Sequence, residues 1–288
     1  MPTELKAGST HARLLLERLQ IRGITDVLQI ASELKLKVKE EELEGCEGLL
    51  VRPVGIARGI IAVKKSIRSE GRKRFTIAHE IGHFVLPGHD AEGSICGQED
   101  IEGWSDRSNS KEREADDFAA ELLIPAAVVT ARLAETAPSL AVVEAVATDC
   151  AASLSASAWK YCDLTSEQCA IVWSEQGKVS WSRASPEFPF FIKNEKSIER
   201  DSFAYNCFKG EKVPSVPEAV PADAWIDSYN LREGSTIHEQ SRSLPAYNSV
   251  LTLLWIKGNI QKRSDYQDED DPSLDPMEFT AHRKKWPK

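Results

Sequence analysis

The chain has 288 residues, of which 41% are hydrophobic and 28% are charged, a composition typical of a globular protein with one or two domains. Its formal net charge of −9 argues against general binding to nucleic acids or to anionic membranes. No apolar run approaches the roughly 18 residues of a membrane span. The six cysteines form no CxxC pair and no apolar signal segment precedes them, so we expect reduced thiols in a cytoplasmic protein.

The first part of the chain predicts two helices followed by two short strands. Apolar residues at helical spacing indicate helices over 9–21 and 25–36, which Gly23 separates. Residues 47–54 and 58–64 are rich in β-branched and aliphatic residues and predict strands. We expect a small mixed sheet from these strands, with an edge strand able to align an extended peptide by main-chain hydrogen bonds.

A cluster of six cations precedes the next predicted helix. We interpret it as a solvated turn, because a run of charges usually has no further role. The alternative is a contact for an acidic or nucleic-acid-bound substrate. The cations are Lys64, Lys65, Arg68, Arg72, Lys73 and Arg74.

The most informative segment is the helix predicted over 74–86, which contains His79-Glu80-Ile81-Gly82-His83. On a helix, residues four apart share a face, so His79 and His83 can bind one metal ion. Glu80 then lies beside the metal as the general base that activates a bound water. This HExxH pattern predicts a metal-dependent hydrolase with Glu80 as its catalytic residue.

A catalytic zinc site needs a third protein ligand, and three residues are candidates. Glu112 projects from the apolar face of a helix predicted over 111–125 and is the favoured ligand; Glu114, nearer the edge of that face, is the alternative on the same helix. His89 has the offset of a metzincin ligand, but Leu86 stands where that motif requires glycine. Asp116, one turn after Glu112, can accept a hydrogen bond from a ligating histidine.

These two motifs carry a resemblance to a known family. HEIGH preceded by RFTIA, together with EREADDFAAELLIP, resembles the ImmA/IrrE metallopeptidase family over roughly residues 10–185. The resemblance implies a compact gluzincin-like zinc protein, with zinc bound by His79, His83 and Glu112 and water activated by Glu80. Family members that are proteases cut helix-turn-helix repressors and so release phage, mobile-element or stress-response genes. The family's usual Asn is Asp116 here.

The next part of the chain contains a long connection and a helical pair. Residues 87–111 are polar and predict a lid or an irregular loop. Residues 139–150 and 154–162 predict two short helices around a turn, a pattern also typical of a helix-turn-helix. A DNA-reading helix needs cations, and Lys160 is the only Lys or Arg between residues 133 and 177. We therefore interpret the pair as a support for the metal domain.

The C-terminal part predicts strands. Residues 169–174 and 178–183 alternate around a Gly-containing turn, which indicates a hairpin, and residues 249–257 extend the same sheet. The sequence does not select a group to stabilise the oxyanion of a hydrolytic intermediate. The candidates are Tyr161, Tyr205 and His238.

These observations combine into one prediction. The fold is α+β, with a gluzincin-like metallopeptidase domain at 1–135, a helix-turn-helix-like segment at 136–168, a β-containing region at 169–262 and a mobile charged tail at 263–288. We expect a cytoplasmic zinc endopeptidase, with Mn²⁺ as the alternative metal, that cuts an XRE-type repressor and binds neither membrane nor DNA. The alternatives are a non-catalytic metal-binding interaction or sensor module and a transcription regulator.

Overall fold

The computed structural model describes residues 7–52, 58–89, 94–97, 110–227, 229 and 231–258. Most of the connection predicted at 87–111 and the whole tail predicted at 263–288 lie outside these residues. The described part is a mixture of helices and two separate sheets, as an α+β fold requires. Its helices are α1 (Ala7–Arg18), α2 (Val27–Glu33), α3 (Glu70–Val85), α4 (Ser110–Leu123), α5 (Ala126–Glu135), α6 (Leu140–Cys150), α7 (Leu154–Leu164) and α8 (Phe203–Phe208). Its strands are β1 (Leu36–Glu41), β2 (Cys46–Val51), β3 (Gly59–Lys64), β4 (Ser94–Gly97), β5 (Cys169–Glu175), β6 (Lys178–Ala184), β7 (Glu218–Pro221), β8 (Thr236–Leu244) and β9 (Ser249–Trp255).

The first sheet is small and mixed, as predicted. Its strand order is β1-β3-β2-β4, with β1 and β3 parallel and the other pairs antiparallel. Strand β1 was not predicted, because the preceding helix was expected to continue to residue 36. In the structure that helix, α2, ends at Glu33. Lys35, at φ 59°, then turns the chain into the strand. Four of the six residues of β1 are Lys or Glu, so the sequence shows little of the apolar and polar alternation that predicts a strand.

One hydrophobic core joins this sheet to the helices around it. Leu50 and Ile61 of the sheet pack with Ile81 of α3, Phe118 of α4 and Leu15 of α1, and all five are at least nine-tenths buried. Burial of a large aliphatic or aromatic side chain contributes roughly 1.5–3 kcal/mol. The core therefore holds α3 against the sheet and α4 beside α3.

The second sheet has five antiparallel strands in the order β6-β5-β9-β8-β7. The predicted hairpin is β5–β6, and the predicted strand at 249–257 is β9, which pairs with β5. Alternate residues of β5 belong to different clusters: Ile171 packs with α6 and α7, whereas Val172 packs with the segment that includes Phe188 and Trp225. The sheet is thus covered on both faces, so β5 and β9 are apolar along most of their length.

Helices α6 and α7 form the predicted pair and meet at an angle of 115°. Their position explains the single cation of α7: Lys160 Nζ lies 2.6 Å from Glu121 Oε2 of α4. Arg74 of α3 donates to the carbonyl oxygens of Cys150 and Ala151, where α6 ends. The pair therefore braces the metal-motif helix on one side and packs on the second sheet on the other.

Among the described residues, no single helix has the length and the apolar composition needed to cross a membrane. Taken together, α6 and α7 are long and apolar enough, but they are sharply bent at their junction.

Candidate metal centre

The HEIGH motif lies on α3, a 16-residue helix that begins after the N-cap Ser69 and ends before the extended residue Leu86. Ser69 Oγ accepts a hydrogen bond from the backbone N–H of Arg72, which satisfies one open donor of the first turn. His79 and Glu80 are fully buried and His83 is 1% exposed. Polar groups buried this deeply are costly unless they are satisfied, so this turn of the helix serves a site.

Three of the predicted site residues converge. His79 Nε2 lies 3.0 Å from His83 Nε2 and 3.1 Å from Glu112 Oε2, and His83 Nε2 lies 3.3 Å from the same oxygen. Among the described residues these three side chains form a group that could hold a metal ion. Ligand atoms about 2.0–2.2 Å from a tetrahedral zinc ion are roughly 3.3–3.6 Å apart, close to the spacing observed here.

Gly82 allows the close approach of helices that this cluster requires. A Cβ atom at Gly82 would lie 3.2 Å from Phe118 Cδ1 and 3.3 Å from Ala115 Cα, both on α4. Contacts under about 3.4 Å force a neighbour to move. A side chain here would push α4 away and carry Glu112 away from the two histidines.

The hydrogen bond at Nδ1 of His79 determines whether its Nε2 atom can bind a metal ion. His79 Nδ1 lies 2.9 Å from Asp116 Oδ1, so a neutral ring donates its proton there and presents a lone pair at Nε2. Glu112 brings a carboxylate oxygen, which is an acceptor. Acceptors that face one another repel unless a cation lies between them, so the donor set fits a divalent metal ion.

The electrostatics of Glu112 favour its ionised form. Burial by itself would raise the pKa of this carboxyl group, but the neighbouring imidazoles of His79 and His83 lower it by more than burial raises it. The pKa of Glu112 is therefore held well below its ordinary value of 4.5. A carboxylate that stays ionised is the form that binds a metal.

The Glu80 side chain lies against the first sheet. A Cβ atom at Gly48 of β2 would lie 2.5 Å from Glu80 Oε1 and 2.7 Å from Thr76 Cγ2. Burial raises the pKa of Cys46, also on β2, and the negative charge of Glu80 raises it further. The carboxylate of Glu80 thus lies directly against the β2 backbone, where glycine leaves room for it.

Replacing Gly48 by alanine is expected to displace the Glu80 carboxylate. The end of the Glu80 side chain can rotate away, whereas the short branched side chain of Thr76 cannot, so overpacking costs roughly 1–3 kcal/mol of stability. If Glu80 is the general base that the HExxH pattern predicts, hydrolysis is expected to fall with metal affinity little changed, measured by single-turnover assays and chelator competition. Gly23→Ala is the control. Gly23 is exposed and has nothing within 4 Å of an added Cβ, but its φ of 108° strains an alanine, so this change tests backbone strain away from Glu80. Equal hydrolysis by Gly48→Ala and the parent protein would contradict the placement.

The two alternative ligands, Glu114 and His89, lie outside the converging group and contact each other. His89 Nε2 is 3.4 Å from Glu114 Oε2, and His89 Nδ1 is 3.0 Å from His83 Nδ1. The sequence offered no signal for this contact behind His83. Burial and the neighbouring His83 lower the pKa of His89, and Glu114 partly opposes that shift.

Three cations of the predicted turn lie instead in the first turns of α3 and make internal contacts. Arg72 Nε lies 2.6 Å from Glu47 Oε2 and Lys73 Nζ lies 2.7 Å from Glu40 Oε1. Arg74 bonds to carbonyl oxygens at the end of α6 and to Thr25 O. These pairings tie α3 to the sheet and to α6, which favours a structural role over a substrate contact.

The three possible oxyanion groups lie with the second sheet. Tyr161 is fully buried with its hydroxyl 4.0 Å from Cys169 Sγ. Tyr205 is covered by Lys209, and the ring of His238 packs 5.6 Å from that of Trp255. Their contacts place them among the side chains of the C-terminal clusters and not among the atoms that converge at α3 and α4.

Comparison with known proteins identifies the part of the chain that carries this centre. Residues 31–158 match the family model Peptidase_M78, an IrrE N-terminal-like domain. No curated protein matches the chain. A solved structure, a Mycobacterium tuberculosis transcriptional regulator, is similar with a TM-score of 0.47 and 11% sequence identity over 86% of this chain and 87% of that one.

Proposed function

We propose that the chain, whose residues 31–158 match the Peptidase_M78 model of IrrE N-terminal-like domains, is a member of that family and a zinc-dependent endopeptidase. The convergence of His79 Nε2, His83 Nε2 and Glu112 Oε2 carries this proposal. Two imidazole nitrogens and one carboxylate oxygen suit zinc best, with Mn²⁺ as the alternative. Two histidines one helical turn apart and a glutamate from a second helix make the ligand set gluzincin-like.

The protein's own residues divide the chemistry among them. A bound zinc ion would supply Lewis acidity, which lowers the pKa of a water molecule and polarises a peptide carbonyl. The Glu80 carboxylate accepts the proton of the attacking water and passes it to the leaving amine. Asp116 holds the proton of His79 on Nδ1, so that Nε2 stays available. The wall formed by β2 fixes the Glu80 side chain and excludes solvent from that side.

The substrate we propose is a helix-turn-helix repressor of the XRE type. The resemblance of the HEIGH and EREADDFAAELLIP segments to repressor-cleaving family members supports this choice. The ion pair between Lys160 and Glu121 argues against the alternative of DNA reading by α7, because the one cation of that helix is already paired. The protein would act on gene expression by removing a DNA-binding protein and not by reading DNA itself.

Cleavage of a neighbouring repressor tests the proposal. The purified protein is incubated with helix-turn-helix repressors encoded beside its gene, with zinc, with manganese and with a chelator. We expect one or a few defined fragments that form when metal is present and do not form when chelator is added. Gel electrophoresis and mass spectrometry detect the fragments. Repressor binding without fragments would instead support the non-catalytic module, and specific DNA binding by the protein alone would support a transcription regulator.

A further inference from the structure

A second layer of side chains lies behind His83, on the side away from the converging atoms. The ring of His89 is 3% exposed and its centroid is 5.1 Å from that of His83. The two Nδ1 atoms are 3.0 Å apart, and the remaining nitrogen of His89 is 3.4 Å from Glu114 Oε2. His83, His89 and Glu114 therefore form one continuous chain of polar contacts.

The possible proton positions in this chain are limited. A hydrogen bond between two neutral imidazole nitrogens needs one donor and one acceptor. If His83 Nδ1 donates, His89 Nδ1 is the acceptor, and the proton of His89 must then be on Nε2. Glu114 can accept that Nε2 proton because a carboxylate only accepts. In the opposite arrangement His83 would be protonated on Nε2, the nitrogen that faces His79 and Glu112.

We propose that Glu114 and His89 act as a relay that fixes the tautomer of His83, so that its Nε2 presents a lone pair to the metal. Glu114 selects the Nε2–H form of His89, and that form can only accept from His83 Nδ1. His89 is thus a positioning residue, and Glu114 acts through it. The inference rests on the proposed function because it assumes that the centre binds a metal.

The relay differs from the arrangement at the other histidine. His79 donates directly to Asp116, at 2.9 Å, and needs no intermediate. Asp116 and Glu114 are both on α4, two residues apart, and so point away from each other around that helix. One helix therefore orients both histidines, His79 directly and His83 through a residue that follows α3.

Metal affinity of matched variants tests the relay. Zinc affinity is measured by competition with a chromophoric chelator, and Co²⁺ absorption reports the coordination geometry. His89→Leu removes the acceptor, and loss of such a partner typically weakens metal binding by about 10- to 100-fold. His89→Asn keeps an acceptor oxygen near the Nδ1 position and is expected to restore most of the affinity and the parent spectrum. His11→Leu is the control, because the His11 ring contacts only Ala7 O of its own helix in the hydrogen bonds described and lies outside the relay.

A second pair of variants avoids any loss of folding at the buried position. The Glu114 side chain is 39% exposed, so Glu114→Ala and Glu114→Gln are both expected to fold. Glu114→Gln retains an accepting oxygen, so it is expected to bind zinc more tightly than Glu114→Ala. Equal affinity of the parent protein, His89→Leu and Glu114→Ala would overturn the relay.

Long-range proton–nitrogen NMR spectra of the zinc-bound protein report the tautomers directly. We expect His89 to be protonated on Nε2 and His83 on Nδ1. A proton on His89 Nδ1 would overturn the relay while leaving the proposed peptidase function intact. Failure of the parent protein itself to bind zinc, manganese or cobalt would overturn both, so the two failures are distinguishable.

Discussion

Replacing Glu80 by glutamine is expected to lower peptide hydrolysis by about 10²- to 10⁴-fold while metal remains bound. The amide has nearly the shape of the carboxylate but cannot accept the proton of the attacking water. His79, His83 and Glu112 are unchanged, so the converging atoms keep their spacing. The measurement is the single-turnover rate on a cleaved repressor, together with the metal content of the same preparation.

A matched control for this change is on the same helix. Glu70→Gln alters an exposed carboxylate in the first turn of α3 and is expected to leave both hydrolysis and metal content at the parent level. Full hydrolysis by Glu80→Gln would show that another group is the general base. Loss of metal from Glu80→Gln would show that Glu80 contributes to holding it.

Removal of the Glu121 carboxylate is expected to destabilise the fold by about 3 kcal/mol, the lower end of the range for breaking a buried ion pair. Its side chain is 1% exposed and contacts Arg13 of α1 at 2.8 Å and Lys160 of α7 at 2.6 Å. It also accepts from the backbone N–H of Ala126, where α5 begins. Glu121→Ala leaves these three donors without their acceptor. Urea unfolding at pH 7 measures the loss in the free energy of unfolding.

The exposed partner of this network provides the comparison. The Arg13 side chain is 40% exposed, and pairs screened by solvent contribute at most about 1 kcal/mol. Arg13→Gln is therefore expected to cost far less than Glu121→Ala. Equal costs for the two substitutions would contradict the central role of the buried carboxylate.

The same network predicts a dependence of stability on pH. Burial tends to raise the pKa of Glu121, but Arg13, Lys160 and the Ala126 N–H together hold it below its ordinary value of 4.5. A group whose pKa is lowered by folding stabilises the protein above its unfolded pKa and loses that effect as the pH falls through its folded pKa. The difference in unfolding free energy between the parent protein and Glu121→Gln should therefore shrink as the pH falls below 4.5. A difference that grows in acid would contradict this assignment.

Several features of the candidate site followed from local spacing alone. His79 and His83 share a helical face because they are four residues apart, and Glu112 and Asp116 share another for the same reason. The structure brings His79, His83 and Glu112 together and places Asp116 beside His79. Their roles as ligands and orienting group stay predictions. The β5–β6 hairpin was equally local, since the chain alternates around one short turn.

Other features depended on contacts between distant segments. Lysines and glutamates obscure the apolar alternation of β1 in the sequence. The segment forms a strand because β3 pairs with it in parallel. Strand β8 was not predicted, because it contains polar residues such as Glu239, which is buried and accepts a hydrogen bond from the backbone N–H of Ala204, 35 residues away. Lys160 on α7 was recognisable as an isolated cation, but only the packing of α4 against α7 identified its partner.

The sequence by itself determined which candidate groups are present: two histidines, the glutamate between them and Glu112, at spacings that place residues on shared helical faces. Only the tertiary structure decided how those groups are supported. Gly82 lets α3 and α4 approach closely, Gly48 makes room for Glu80, and the turn after α3 returns His89 to the back of His83. Helical spacing acts within a few residues and can be read from the chain. The relay joins residues 25 apart in sequence, so it exists only once the core has set the distance between the two helices.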